Sequence, residues 1–217
     1  IEREWGITRS IVEVLAETKH PLLITTKSDR LLRDIDLLAA MARDNLVGVA
    51  ISVTTLDPKV ARTLEPRAPH PRRRLAAIRA LIDAGVPTQV NISPIIPAIT
   101  DHEIEAIMAA AAEAGALRAS YILMRLPHEV APLFRAWLAA HYPDRADKVM
   151  HMVQDIRGGK DNDPNFFTRM KGHGVWPQLI RQRVQRAARE HGMDNRFPPL
   201  RSDLFRPPER DGQMELF

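Results

Sequence analysis

The sequence predicts an α/β protein: a partial parallel (β/α) barrel followed by a mostly helical C-terminal extension. Short apolar runs alternate with helical patterns four times along the chain. The runs lack the polar alternation of a half-exposed strand, which indicates a parallel sheet covered by helices. A complete barrel has eight βα units. The four units found here therefore form an open sheet, or the first strands are missing before residue 1.

The predicted elements follow from local signals. Apolar, partly β-branched runs predict strands at 22–26, 46–53, 88–96 and 119–126. Apolar spacing, caps and flanking Pro or Gly predict helices at 1–20, 30–43, 57–63, 71–84, 101–114 and 128–140. We expect residues 1–140 to form the barrel, 141–194 a helical extension, and 195–217 a flexible tail rich in Pro and Arg.

Composition excludes several classes of site. The 217 residues include no cysteine, which rules out disulfides, thiolate metal sites and a cysteine nucleophile within this chain. The formal charge of +4 permits a nucleic-acid partner without requiring one. Ala106–Ala112 is the longest apolar run and is too short to span a membrane. We expect a cytoplasmic protein without membrane association.

No reactive group is evident in the sequence. The dinucleotide fingerprint and the P-loop are absent, and the eight histidines show no metal-ligand spacing. No carboxylate cluster at the predicted strand ends supports an oxygen-ligated metal. Any chemistry would therefore come from a bound cofactor.

The predicted strand ends nevertheless carry polar side chains. In parallel βα proteins, ligands bind at the carboxyl ends of the strands. The residues expected there are Lys27, Ser52, Thr54, Asn91, Ser93 and Arg125. Two cations among hydroxyls and an amide suit an anionic or zwitterionic ligand.

Four segments stand out in order along the chain. The first two are Ile24-Thr25-Thr26-Lys27-Ser28 and Val49-Ala50-Ile51-Ser52-Val53-Thr54-Thr55. The other two are Leu64-Glu65-Pro66-Arg67-Ala68-Pro69 and the run from Val90 to Asp101. Together they resemble radical S-adenosylmethionine (radical SAM) enzymes, and in particular the spore-photoproduct-lyase-like branch labelled DNA repair photolyase. The resemblance implies a [4Fe-4S] cluster on a C-x-x-x-C-x-x-C loop. It also implies SAM as the source of a 5′-deoxyadenosyl radical, and a substrate in nucleic acid.

The resemblance also implies roles for individual residues. Lys27 would contact the SAM carboxylate, and Ser52, with Thr54 on the same segment, a polar group of the ligand. Asn91 and Ser93 would face its methionine or ribose side, and Glu65 and Arg67 are further candidates. The cluster loop itself is absent because the chain has no cysteine. We expect the C-terminal part of a longer enzyme, inactive alone, or a natural homologue without the cluster.

A non-catalytic binding protein is the alternative. A basic helix carries Arg181, Arg183, Arg186 and Arg189, and 72–74 is a second basic cluster. Such clusters could neutralise the phosphates of DNA. The terminal residues Gln213-Met214-Glu215-Leu216-Phe217 resemble the pentapeptide that binds the bacterial sliding clamp.

We predict that these five residues dock on the clamp. Leu216 and Phe217 would fill an apolar pocket and Gln213 would donate a hydrogen bond, with a Kd of about 1 μM. Fluorescence polarisation with a labelled 205–217 peptide and a purified clamp measures this affinity. Equal binding of the Leu216→Ala, Phe217→Ala double variant would contradict the prediction.

Overall fold

Four parallel strands form one sheet whose spatial order is the order of the chain. The computed structural model describes residues 2–193 and 197–208. The strands are β1 (Leu22–Thr26), β2 (Val47–Ser52), β3 (Thr88–Ile95) and β4 (Arg118–Leu123). The sheet order is β1-β2-β3-β4, and each neighbouring pair is parallel. The predicted parallel sheet is therefore confirmed.

The helices of the described residues lie close to the predicted ones. They are α1 (Glu2–Trp5), α2 (Ile7–Glu17), α3 (Ile35–Arg43), α4 (Pro58–Leu64), α5 (Pro71–Asp83), α6 (Ile104–Glu113), α7 (Val130–His141), α8 (Ala146–Ile156) and α9 (Val175–Glu190). The helix predicted over 1–20 is interrupted at Gly6, whose φ of +61° is left-handed and separates α1 from α2. No helix in the described residues is both long and apolar enough to cross a bilayer.

The connecting helices α3, α5 and α6 cover the same face of the sheet. A sequential strand order with right-handed crossovers places every crossover on one side. On that side, alternate residues of the strands enter the main apolar core with residues of α3, α5 and α6, among them Val49, Ile51, Val90 and Ile92. The opposite face of the sheet carries none of these helices. This is the geometry of a partial barrel, and the predicted fold class is confirmed.

The extension packs at the carboxyl ends of β3 and β4. α7 and α8 contribute Phe134, Leu138 and Val153 to a second apolar cluster, which includes Ile96 and Met124 from the ends of these two strands. α9 instead lies along α6 and β4. The extension therefore packs against the β3 and β4 side of the sheet.

Residues 197–208 run along the amino ends of the strands. The ring of Phe197 lies over Gly48 on the open face of the sheet, in the space that a Cβ at this position would occupy. The Arg201 amide donates to Asn45 O (3.0 Å) and the Arg206 amide to Thr18 O (2.9 Å). This segment, here called the strap, joins the chain that precedes β1 to the chain that precedes β2.

A bidentate ion pair joins α9 to α6 and gives a pH-dependent stability. Arg183 donates to both carboxylate oxygens of Glu105 at 2.7 and 2.5 Å, and this hydrogen bonding lowers the pKa of Glu105. A folded-state pKa below the unfolded value stabilises the protein above that unfolded value. The stabilisation disappears as the pH falls through the folded-state pKa.

We predict that Glu105→Gln lowers the free energy of unfolding at pH 7 by less than about 1 kcal/mol, since the pair is partly exposed. The difference from the parent should shrink below about pH 4.3 and vanish at lower pH. Urea unfolding at several pH values measures it. Glu113→Gln, at the end of the same helix and without an ion pair among the described residues, is the control measured in parallel; a pH-independent effect of Glu105→Gln would contradict the prediction.

Candidate functional site

The open face of the sheet carries a row of polar side chains. Ser52 of β2 lies opposite Asn91 of β3, and Asn91 lies opposite Ser120 of β4. Asn91 Nδ2 donates to Ser52 Oγ at 3.4 Å, and Ser120 Oγ donates to Asn91 Oδ1 at 3.2 Å. Strand alternation thus places apolar residues under the helices and hydrogen-bonding residues on the opposite face.

Lys27 and Thr54 meet at the carboxyl ends of β1, β2 and β3. Lys27 Nζ donates to Ser93 O at 3.1 Å and lies 3.3 Å from Glu65 Oε1. Thr54 Oγ1 lies 2.8 Å from the same carboxylate oxygen and 2.9 Å from Ser93 O. Ser93 therefore takes part through its backbone carbonyl, and Glu65, at the end of α4, is the acid that the cation and the hydroxyl share.

Arg74 of α5 contacts this group from the helix layer. Its side chain is only 1% exposed, and its Nη2 lies 2.7 Å from Glu65 Oε2. Its Nη1 donates to Ser52 O at 3.2 Å and its Nε to Pro69 O at 2.9 Å. The guanidinium therefore links the end of β2 to the acid, and one carboxylate faces two cations.

The sequence predicts that Arg74 belongs to a basic cluster on the surface. This prediction is wrong, because Arg74 is buried. Arg72 and Arg73 are exposed, whereas Arg74 lies on the buried stripe of α5 with Ile78 and Leu81. The signal in the sequence was this helical spacing of Arg74, Ile78 and Leu81, which puts a charged residue on an apolar face.

Glu103 was also missed. Thr55 Oγ1 donates to its Oε1 at 2.5 Å and the Leu56 amide donates to its Oε2 at 2.7 Å. The carboxylate precedes α6 and fixes the loop that follows β2. A Glu 47 residues from its partner in the sequence gives no local signal of this contact.

The remaining predicted site residues lie elsewhere. Arg67 is exposed and lines a separate groove beside β1, with Thr25, Thr26 and Arg73. Gln213, Leu216 and Phe217 lie outside the described residues, so clamp binding stays a prediction. Lys27, Ser52, Thr54, Glu65, Asn91 and the Ser93 carbonyl are here called the polar cluster.

Three of the four strands lie in a segment that matches a known family. The Radical SAM superfamily model matches residues 4–111, which include β1, β2, β3 and the polar cluster. This match supports the predicted superfamily for residues 4–111, and the narrower branch stays a proposal.

Several curated proteins are similar to the chain. Proteins of Mycobacterium bovis and Mycobacterium tuberculosis, both named as uncharacterised, are 32% identical over 155 residues, which is 70% of this chain and 46% of theirs. A Methanocaldococcus jannaschii protein, also named as uncharacterised, is 31% identical over 103 residues, 48% of this chain and 38% of its own. The chain thus spans less than half the length of these relatives.

The two cofactors of the superfamily differ in their fit to this chain. No cysteine occurs in the sequence, and the described residues contain no group of three His, Asp or Glu side chains placed to hold a metal. The residues present therefore do not fit an iron–sulfur cluster. The polar cluster does fit SAM: Lys27 can face a carboxylate, and Ser52 Oγ can accept from an ammonium group.

We predict that Arg74→Met lowers the free energy of unfolding by about 3 kcal/mol, because Glu65 would lose the cation on one of its two oxygens in a buried site. Urea unfolding measures the loss. The Glu65→Gln, Arg74→Met double variant should regain most of it, since no buried charge is left uncompensated. The control is Arg73→Met, an exposed neighbour, with an expected change in the free energy of unfolding below about 1 kcal/mol. Equal losses for Arg74→Met and Arg73→Met would contradict the prediction.

Proposed function

We propose that this chain forms the SAM-binding part of a radical SAM enzyme. The observation that carries the proposal is the polar cluster, which lies at the carboxyl ends of parallel strands within the segment that matches the superfamily. When bound, SAM supplies the radical chemistry of this superfamily. We propose further that the iron–sulfur cluster is bound by cysteines outside these 217 residues, since none lies within them.

Lys27 and Asn91 have donors left for a ligand. The Lys27 ammonium has three N–H donors, of which the Ser93 carbonyl and Glu65 use two. Asn91 uses one of its two amide donors on Ser52. Lys27 would therefore bind the ligand carboxylate, and Ser52 and Asn91 would orient its polar groups along the row.

Glu65 would act in two ways. Its Oε1 holds Lys27 and Thr54 in place, and its charge offsets one of the two cations, so that the group keeps a net positive charge that favours the ligand carboxylate. Arg74 would then be a positioning residue, because it fixes the carboxylate from the buried side.

The substrate we propose is nucleic acid, in a DNA repair reaction. The resemblance of the segments around Lys27, Ser52 and Glu65 to the spore-photoproduct-lyase-like branch supports this. So does the distribution of charge on α9. Arg183 and Arg186 pair with Glu105 and Glu190, whereas Arg181 and Arg189 line an open cleft beside β4 with Arg118. The alternative is a non-catalytic DNA- or clamp-associated protein, which would lack SAM binding.

We predict that Lys27→Ala in the full-length, cluster-reconstituted protein weakens SAM binding by about 1.5–3 kcal/mol, because a charge-assisted hydrogen bond is lost. Isothermal calorimetry measures the affinity. Lys19→Ala is the matched control, since Lys19 also pairs with an acid, Asp44 at 3.3 Å, but precedes β1 at the opposite end of the sheet. Equal affinity of Lys27→Ala and the parent would remove Lys27 from the site, and no SAM binding by the parent would favour the alternative.

A further inference from the structure

The segment between α8 and α9, residues 158–174, is here called the aromatic loop. Arg157, only 3% exposed, fixes its position. The Arg157 side chain donates to Leu123 O and Met124 O, both at 2.9 Å, and to Arg169 O at 2.7 Å. The aromatic loop is thereby attached to the carboxyl end of β4, the same end of the sheet that carries the polar cluster.

Side chains of the aromatic loop build the turn that carries two phenylalanines. Asp163 accepts from the Asn165 amide at 2.9 Å and from Thr168 Oγ1 at 2.5 Å. Asn165 Oδ1 accepts from the Phe167 amide at 2.9 Å. These bonds order the turn without any contribution from the two aromatic rings.

The rings themselves face solvent. Phe166 is 70% exposed and Phe167 is 79% exposed, with ring centroids 5.6 Å apart in an edge-on arrangement. Neither residue belongs to the apolar clusters of the described residues. Two adjacent exposed aromatic rings on an ordered turn gain little for the fold of this chain, so their contribution lies in contact with a partner.

The loop that carries the rings also carries exposed cations. The Arg169 guanidinium lies 4.8 Å from the centre of the Phe166 ring. Lys160 and Lys171 are exposed, and within the described residues neither has an acidic side chain in ion-pair distance. Of the two acids of the loop, Asp161 is held by Arg135 at 2.8 Å, and Asp163 by the turn.

We infer that the aromatic loop binds single-stranded DNA, with unpaired bases stacked on Phe166 and Phe167 and phosphates bound by Lys160, Arg169 and Lys171. Aromatic rings beside cations are the surface to which single strands bind, because every base offers a face for stacking and every nucleotide a charge. A duplex fits poorly, since its bases are already stacked on both faces. The inference rests on the proposed function for the use of the DNA as substrate, whereas binding itself needs neither SAM nor the cluster.

Fluorescence anisotropy of the full-length protein with a labelled 15-mer of thymidine tests this inference. We expect Phe166→Ala, Phe167→Ala to weaken binding by about 10- to 100-fold. Because both rings are exposed, the thermal unfolding of this variant should match the parent. Phe205→Ala is the matched control: Phe205 is also exposed, at 45%, but lies in the strap and packs on His20 at the other end of the sheet.

A salt titration tests the phosphate contacts separately. Lys171→Gln should reduce the slope of log Kd against log salt by about 0.7, the value for one phosphate contact on a single strand, while Lys19→Gln should leave it unchanged. Equal affinities of the double Phe variant and the parent would overturn the inference. So would tighter binding of a 15-bp duplex or of a single-stranded RNA of the same length.

Binding of the protein to anionic lipid vesicles is the last measurement, because exposed aromatic rings beside cations also suit a membrane surface. Vesicle binding that is lost in the double Phe variant, without DNA binding by the parent, would overturn the inference in favour of a membrane. The proposed function would fail with a different result: the parent protein would bind DNA but not SAM.

Discussion

The pairing of Glu65 with cations on both of its oxygens is the interaction on which the site depends. Arg74 reaches it from the helix layer and Lys27 from the end of β1. A carboxylate this deeply placed is stable only while its charge is compensated. Because Arg74 also holds Ser52 O, the same guanidinium sets both the position of the acid and the end of β2. The helix layer and the open face of the sheet are thus joined by one buried ion pair.

The open face of β2 carries small residues, and the ring of Phe197 covers the first of them, Gly48. Gly48 and Ala50 precede Ser52 on that side of β2, whereas Val47, Val49 and Ile51 fill the core under the helices. The strand therefore appears in the sequence as a continuous apolar run, although its two faces differ in function. A larger side chain at position 50 would extend into the space beside the polar row and reduce the volume left for a ligand.

Elements with strong local signals could be predicted from the sequence, and contacts between distant segments could not. The strands and helices follow from apolar runs, caps and glycines, and the grouping of Lys27, Ser52 and Asn91 follows from the parallel order of the strands. Glu65 was named through the family resemblance alone. Arg74 and Glu103 were missed because their partners lie on other elements. Only the helical spacing of Arg74 with Ile78 and Leu81 on α5 indicated that Arg74 is buried. The break at Gly6 was missed because a single glycine does not by itself end a helical pattern in the sequence.

The strap has a consequence for the order of folding. Its backbone bonds join Arg201 to Asn45 and Arg206 to Thr18, residues separated by more than 150 positions in the sequence. Contacts of such high sequence separation form late, because a long loop must close before they are made. On the ribosome, the amino ends of β1 and β2 are therefore complete long before the segment that covers them has been synthesised. During that interval the open face of β2 at Gly48, which the ring of Phe197 covers in the complete fold, is accessible to solvent and to other chains.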